Sequence, residues 1–511
     1  MAVPPPRIAR LGTNLVTARR PAAEPDRLGT GVWSRRRFLG AMGASGALVA
    51  LAACGSPEAS SLRASAAGTL TFLSRPDLRP PRLEVVGPAG QPGAGYVFVT
   101  AGAPLIVDDR GSPIWYRPVP HASTNLRVQR YEGAPVLTWW QGEITHYGVG
   151  QQGEVVIVDT SYREVRRVRA ANGLTVDLHE FVIAGDGTAY LTAYREVTAD
   201  LSAVGGPKRG RMLDVSVQGI DLATGALVFD WHSADHIDIS ESYQTYSKQS
   251  AAPYDPVHVN SIDPTADGNL LISARNTWAL YKLDRATGEI IWRLGGKKNQ
   301  FRRGPGVHFA WQHDARSHPG NLLSLFDDEG DPPEARQSRG LVLAVDETAM
   351  TADLVHAYLH PGKPLLAGSQ GSVQLLPDGD VVVGWGAEPY YTEYRQDGEV
   401  VLDGRFLTGQ SYRAFRFPWA ATPTEAPAIA ARRRSPNRLE VYASWNGATE
   451  VHHWSVLGGA RRDRLSEVGA ANRTGFETPV EVVATVPVAY VAARAVDRDG
   501  RVLATSPVIR V

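Results

Sequence analysis

The chain has 511 residues, more than one ordinary hydrophobic core accommodates, so one large repetitive domain or two to three separate domains are expected. It carries 53 Lys and Arg against 53 Asp and Glu, and a formal net charge of zero excludes the positive excess that nucleic-acid binding needs. Cys54 is the single cysteine, which excludes an intramolecular disulfide and a multi-cysteine metal site.

The first part of the chain, residues 1–54, has the pattern of an export signal. The stretch "SRRRFLG" (34–40) and the apolar run behind it have the layout of a twin-arginine signal. The run is about half of the roughly 20 residues that a spanning helix needs. It ends in "LAACGS", which resembles a bacterial lipoprotein box. We therefore expect export by the twin-arginine route, an extracytoplasmic location and a membrane anchor through a lipid on Cys54. The alternative is a chance cysteine in a signal that another peptidase cleaves.

Residues 55–69, rich in Ser and Ala, are expected to form a flexible tether. Beyond them, the abundance of Gly, Pro, Trp and Tyr and the scarcity of helical periodicity predict an all-β protein with many short strands.

The segment 70–420 contains a repeat made of an inner hairpin and an outer strand pair. The inner hairpins are predicted at 177–195, 256–275, 311–328 and 371–386, and the outer pairs at 217–231, 278–294, 340–358 and 391–406. A weaker copy precedes them, which makes five four-stranded units. Strands at 95–118 and 411–419 are left over, and pairing them closes a ring. The sequence thus predicts a six-bladed β-propeller.

The tail departs from this repeat. Residues 421–437 are predicted as a linker, and 438–511 as a small β-sandwich that resembles a fibronectin type III module.

Three histidines occupy matching positions at the starts of inner strands, namely His179, His258 and His313. In a propeller the starts of the inner strands collect around one mouth of the channel. Because side chains alternate along a strand, Asn260 is expected on the same side as His258. The returning antiparallel strand brings Arg275 close to His258. The sequence therefore predicts one polar cluster on the ring axis.

The same reasoning places Arg195 beside His179, and Asp327 and Asp328 near His313. A lone histidine at a strand start is more often a hydrogen-bonding turn or core residue than a catalyst. Three at equivalent repeat positions favour function instead. A metal site of three histidines is disfavoured, since Arg275 would repel the cation.

At these residues the chain resembles the bacterial arylsulfotransferase family over about 90–420. Members are six-bladed periplasmic propellers that move a sulfuryl group from a phenolic sulfate ester to a phenol without a nucleotide sulfate donor. The "HVNS" stretch (258–261) matches the family's "HxNS" element, Arg275 its strand-end arginine and His313 its "QH" histidine. His179 in "DLHEF" matches the other active-site histidine.

The resemblance implies ping-pong transfer, with His313 as the transiently sulfurylated nucleophile and with His258, Asn260, Arg275 and His179 on the sulfuryl oxygens. It implies no cofactor and no metal, and small aryl sulfates and phenols as partners. Arg195 is added as a substrate-binding residue because of its place beside His179.

The chain differs from well-known bacterial members of this family. It lacks the paired cysteines that some of them have, and a lipid anchor and a C-terminal sandwich are expected in addition. It therefore resembles a divergent, actinobacterial-type lipoprotein branch of the family. Two alternatives stay open. One is a non-catalytic surface propeller that binds a glycan or a protein, with Trp139, Trp140 and Trp385 for stacking. The other is a sulfate or phosphate ester hydrolase that uses the same histidine. The sequence leaves the physiological donor, the acceptor and the oligomeric state open.

Overall fold

The computed structural model of the protein describes residues 68–87 and 92–511. The predicted signal region with Cys54, and the predicted tether up to residue 67, lie outside these residues. The described part belongs to one compact unit, Ser60–Val511. It is nearly all-β, with many small sheets, one short helix at Ser233–His236 and 3₁₀ turns at Ser202–Val204 and Ile239–Glu241. None of its helices is long and apolar enough to cross a membrane.

The first half of the described chain forms strands in hairpin order. They are β1 (Leu83–Val86), β2 (Tyr96–Thr100), β3 (Pro104–Val107), β4 (Pro113–Tyr116), β5 (Ala122–Tyr131), β6 (Ala134–Ile144), β7 (Gly150–Val158), β8 (Glu164–Val168), β9 (Val176–Ile183), β10 (Thr188–Ala199), β11 (Gly210–Asp221) and β12 (Leu227–His232).

The pattern continues without a long helix between strands. The next are β13 (Val259–Pro264), β14 (Leu270–Ala274), β15 (Ala279–Leu283), β16 (Ile290–Gly295), β17 (Arg302–Arg303), β18 (His313–His318), β19 (Leu322–Asp327), β20 (Arg339–Asp346), β21 (Thr351–Tyr358), β22 (Ser372–Leu375), β23 (Val381–Gly384), β24 (Tyr390–Tyr394), β25 (Val400–Phe406) and β26 (Phe415–Phe417).

These strands form six sheets. Within each sheet most strands that follow one another in the chain also pair with one another, and the exceptions are β1 on β25, β17 on β21 and β26 on β2. Their orders are β5-β6-β7-β8, β12-β11-β10-β9, β13-β14-β15-β16, β17-β21-β20-β19-β18, β1-β25-β24-β23-β22 and β26-β2-β3-β4. The four predicted inner hairpins are confirmed as antiparallel pairs. The predicted pairing of the two leftover segments is also confirmed, because β26 pairs with β2.

Each of the six sheets has one end strand, here called its first strand, that contacts the first strands of two other sheets. β5 contacts β9, β9 contacts β13, β13 contacts β18, β18 contacts β22, β22 contacts β26, and β26 contacts β5. These contacts form a closed cycle. Residues at the starts of the first strands therefore come from distant parts of the sequence to one place.

The chain ends in two further sheets. Their strands are β27 (Ala428–Ser435), β28 (Arg438–Ser444), β29 (His453–Arg461), β30 (Arg464–Asn472), β31 (Glu477–Val483), β32 (Tyr490–Val496), β33 (Val502–Thr505) and β34 (Ile509–Arg510). The orders are β27-β28-β31 and β30-β29-β32-β33, with β34 on β32. One buried cluster combines residues of both sheets, including Val441, Trp454 and Val480.

Strand β27 lies inside the segment 421–437 that the sequence suggested as a linker. It pairs with β28 over nearly its whole length. Its run of arginines is exposed, as suits an edge strand, and this polar face hid the alternation that marks a strand.

The first strands of four sheets are not regular. A bulge interrupts the ladder between Thr124 and Arg127, opposite Leu191–Ala193, between Val259 and Ser261, and between His313 and Arg316. Backbone φ is positive at Asn125, His258 and Asp314, at 59°, 58° and 55°. A bulge re-aims side chains and is common beside active sites. The strict alternation that the sequence analysis assumed for these strands does not hold there.

Candidate active site

Each of the three predicted histidines is held by a carboxylate at its Nδ1 atom. The pairs are His179 with Asp177 at 2.5 Å, His258 with Asp255 at 2.6 Å, and His313 with Asp328 at 2.8 Å. A carboxylate on Nδ1 fixes the ring orientation and favours the tautomer that carries the proton there. All three Nε2 atoms are thereby left for other partners.

His179 and His258 bond to each other. Their Nε2 atoms are 3.0 Å apart, and the rings meet edge to face at 82°. With a proton on Nδ1 of both rings, this hydrogen bond requires one further proton, so one Nε2 donates, the other accepts, and the pair shares that proton. Burial lowers the pKa of His258, and the nearby His179 lowers it further, while Asp255 opposes the shift. This pair can both give and take a proton.

His313 is almost fully enclosed, at 1% exposure. Its Nδ1–H faces Asp328 and the Trp311 carbonyl oxygen at 3.0 Å, while its Nε2 accepts the Gln370 N–H at 3.2 Å. This network assigns the proton to Nδ1 and a lone pair to Nε2. Burial, and next the charge of Arg275, lower the pKa of His313 well below its usual value. His313 is therefore a neutral base with a nucleophilic Nε2.

Arg275 lies where the returning strand was expected to bring it, since its N–H donates to the His258 carbonyl oxygen at 2.9 Å. The guanidinium stacks on Trp311, 4.8 Å from the ring centre, and donates to Asn276 Oδ1 at 3.0 Å and the Gly368 carbonyl oxygen at 2.9 Å. Its buried Nε has no partner, and no carboxylate of the described residues lies within 4.0 Å of its nitrogens. A buried cation with a free donor is suited to bind an anion.

Asn260 is fully buried between the segments that carry His258 and His313. Its Nδ2 donates to the Gln312 carbonyl oxygen at 2.7 Å, and its Oδ1 is without a partner. Ser261 Oγ accepts the Ala315 N–H at 3.0 Å just below. The "HVNS" stretch therefore also fastens two neighbouring first strands to each other.

Arg195 is not brought to the histidines by any hydrogen bond, ion pair or ring contact of the described residues. Its side chain is 45% exposed, and its Nε donates to Asp214 Oδ2 at 2.8 Å. The bulge in β9 explains the difference, because Ala193 already pairs with Val176, the first residue of β9. Arg195 consequently lies beyond the end of its partner strand, and its predicted place beside His179 was wrong.

Sequence reasoning missed a buried network of ion pairs next to the histidines. Glu180 and Asp314, which directly follow His179 and His313, bind three guanidiniums, those of Arg127, Arg316 and Arg413. Burial alone would raise the pKa of Glu180, but these arginines hold it well below its usual value. The one signal in the sequence was an acidic residue after a histidine at matching repeat positions.

A cavity of about 510 Å³ reaches this cluster from outside. His258, Arg275 and Asp255 lie in its wall, and residues 244–247 and 250–254 form much of the rest. These belong to the insertion before "DPVHVNSID". His313 is not among the residues that line the cavity. Within the described residues, no group of three or more His, Cys, Asp or Glu is arranged to hold a metal ion.

A family model described as "Arylsulfotransferase (ASST)" matches residues 127–407, a range that contains the three histidines, Asn260 and Arg275. The chain belongs to the arylsulfotransferase family. This confirms the resemblance inferred from the "HVNS", strand-end arginine and "QH" residues. Membership in the arylsulfotransferase family implies sulfotransferase activity in general, with aryl sulfates and phenols as substrates.

No curated protein matches the chain significantly. Solved structures align with it at low scores. A Bacteroides caccae protein of unknown function is 10% identical over 63% of this chain and 98% of its own, with a TM-score of 0.38. Virginiamycin B lyase from Staphylococcus aureus is 8% identical over 63% and 98%, with a TM-score of 0.30. Similarities at this level carry no argument.

Proposed function

We propose that the protein transfers a sulfuryl group from a phenolic sulfate ester to a phenol by a ping-pong reaction through a sulfohistidine at His313. The observation that carries the proposal is Arg275, a buried cation that has an unpaired Nε and no carboxylate partner among the described residues, beside three carboxylate-held histidines. An anionic group on the substrate would supply the missing charge.

The fold that we propose for this reaction is a six-bladed β-propeller followed by a β-sandwich. The closed cycle of contacts among the first strands of six sheets supports the propeller. The single core shared by the two C-terminal sheets supports the sandwich. In such a propeller the histidines lie on the ring axis at one mouth, where the cavity opens.

In the first half-reaction the lone pair on His313 Nε2 attacks the sulfur atom, and the bond from sulfur to the aryl oxygen breaks. In the structure the Gln370 N–H donates a hydrogen bond to this lone pair, and the attack displaces that hydrogen bond. The aryl oxygen leaves with the electron pair and takes a proton from the His179–His258 pair. Asp328 stabilises the positive charge that the sulfurylated ring of His313 acquires.

In the second half-reaction an acceptor phenol gives its proton back to the His179–His258 pair. Its oxygen attacks the sulfur, and the bond between sulfur and Nε2 breaks, which restores neutral His313. Because the transferring group is anionic on three oxygens, positioning and charge stabilisation supply most of the catalysis, by analogy with phosphoryl transfer. Arg275 is the principal source of positive charge in this proposal.

Release of 4-nitrophenol from 4-nitrophenyl sulfate, with and without added phenol, tests the reaction class. Release that requires phenol supports transfer, release without phenol indicates an ester hydrolase, and no release favours a non-catalytic binding protein. His313→Ala should abolish release. His318→Gln is the matched control, since His318 lies on the same strand, bonds Ser324 at 2.8 Å and lies outside the site.

For the location we propose export and a lipid on Cys54, with the substrates approaching outside the cytoplasm. Labelling of cells with a fatty-acid analogue tests this directly. The full-length protein should take up the label, and a Cys54→Ala variant should not. Equal labelling of the full-length protein and the variant would contradict the lipid anchor, but it would not bear on the proposed sulfuryl transfer.

A further inference from the structure

Tyr412 carries a buried hydroxyl that no hydrogen bond explains. It lies just before β26, is 5% exposed, and its Oη has no partner among the described residues. Leaving a buried hydroxyl without a hydrogen-bond partner destabilises a folded protein. Such an atom in a folded protein calls for a functional or structural reason.

The position of the Tyr412 ring supplies a reason. Its centre is 5.9 Å from that of His179 and 6.4 Å from that of His313, and it meets both rings edge to face, at 75° and 79°. It thus contacts the nucleophile and one member of the proton-sharing pair at once. Its carbonyl oxygen accepts the Gly371 N–H at 3.0 Å, which fixes the chain beside Gln370.

The neighbouring tyrosine does not offer a free hydroxyl. Tyr194 lies 6.0 Å from both His179 and His258, but its Oη donates to the Val259 carbonyl oxygen at 3.1 Å. In the part of the chain that the structure describes, Tyr412 is therefore the tyrosine beside the histidines whose hydroxyl is unpaired. It follows the range 127–407 that the family model matches.

Tyr412 acts as a hydrogen-bond donor and not as a base. Burial raises the pKa of its hydroxyl well above the usual value near 10, and the nearby carboxylates of Asp177 and Glu180 raise it further. The guanidinium of Arg413, 5.2 Å from the ring centre, opposes this shift. The hydroxyl consequently keeps its proton at neutral pH.

We propose that Tyr412 is a further catalytic residue, whose hydroxyl donates a hydrogen bond to an oxygen of the sulfuryl group as it passes between the aryl oxygen and His313 Nε2. The proton stays on Tyr412, so no bond to it forms or breaks. The inference rests on the proposed sulfuryl transfer. It assigns to the segment just before β26 a direct part in that chemistry.

Tyr412→Phe tests the proposal, because it removes the hydroxyl and keeps the ring. We expect kcat with 4-nitrophenyl sulfate and phenol to fall on the order of 10²-fold, as for other lost oxyanion donors. The melting temperature should stay equal or rise, since an unpaired buried hydroxyl is lost. Tyr391→Phe is the matched control, because Tyr391 Oη is also buried and unpaired but lies in the core around Phe406. It should keep wild-type kcat.

Wild-type kcat in Tyr412→Phe, within threefold, would overturn the inference and leave the proposed function standing. A loss of kcat accompanied by an equal loss in Tyr391→Phe would overturn it as well, because the effect would then be structural. If the unsubstituted protein transfers no sulfuryl group, the proposed function fails and this inference fails with it. The wild-type measurement in the same assay separates these cases.

Discussion

Replacement of Arg275 by Met tests the role of the buried charge most sharply. Arg275 stacks on Trp311 at 4.8 Å and donates to two neutral oxygens, while its Nε is unpaired. Loss of one preorganised donor to a developing anion costs about 3 kcal/mol, a factor of about 10²–10³ in rate. We expect kcat/KM for 4-nitrophenyl sulfate to fall by at least that factor.

The stability of the Arg275→Met variant should change little. Two hydrogen bonds and the contact with Trp311 are lost, but so is the desolvation penalty of a cation without a carboxylate partner, which is itself several kcal/mol. Urea unfolding should therefore give a free energy within about 1–2 kcal/mol of wild type. The substitution is therefore expected to lower kcat/KM strongly while the free energy of unfolding stays nearly unchanged.

The same substitution should shift the pH profile. His313 must be neutral to attack, so activity is lost as the pH falls through its pKa. In the wild type burial and Arg275 hold that pKa well below the usual value, which keeps the acidic limb of kcat/KM far below pH of about 6.5. Removal of the Arg275 charge raises the pKa of His313 and shifts the acidic limb of kcat/KM to higher pH. An unmoved limb with kcat/KM within threefold of wild type would refute the reasoning.

Three further outcomes are expected. Asp328→Asn should lower kcat on the order of 10²-fold or more without unfolding the protein, because it keeps the shape but loses the carboxyl group that accepts the His313 Nδ1–H and stabilises the sulfurylated ring; circular dichroism and the nitrophenol assay check both parts. Glu180→Gln should destabilise the fold by about 3–5 kcal/mol, since it leaves three buried guanidiniums short of a carboxylate. Glu180 has a depressed pKa, so its stabilisation is present above its unfolded pKa of about 4.3 and is lost as the pH falls through the folded value; urea titrations from pH 7 to 3 should show a flatter acid side in the variant. Arg195→Ala should leave kcat/KM within threefold of wild type, and a loss near that of Arg275→Met would contradict its placement on Asp214.

The repeat could be predicted from sequence because its signals are local. Each inner hairpin has a glycine turn between two apolar runs, and these turns fix which strands pair. The pairing of 95–118 with 411–419 followed from counting strands. Strand β1 could not be found this way, because its partner strand β25 lies far away in the sequence, as the pairing of Leu83 with Phe406 shows.

The site could be predicted in its residue types but not in its geometry. His179, His258, His313 and Arg275 were found because repeat position and antiparallel return place them together. The carboxylates at Nδ1 were partly visible, as "DLH" and "DPVH" show, but spacing does not reveal that a side chain turns back onto the ring. The bulges decide this, and they also carry Arg195 out of the site.

Mass spectrometry of the protein mixed with 4-nitrophenyl sulfate, without acceptor and stopped in base, tests the central claim most directly. We predict one added sulfo group, on the peptide that contains His313, which disappears when phenol is added before the stop. Release of nitrophenol with no sulfo group on that peptide, or with the group on another residue, would contradict the account.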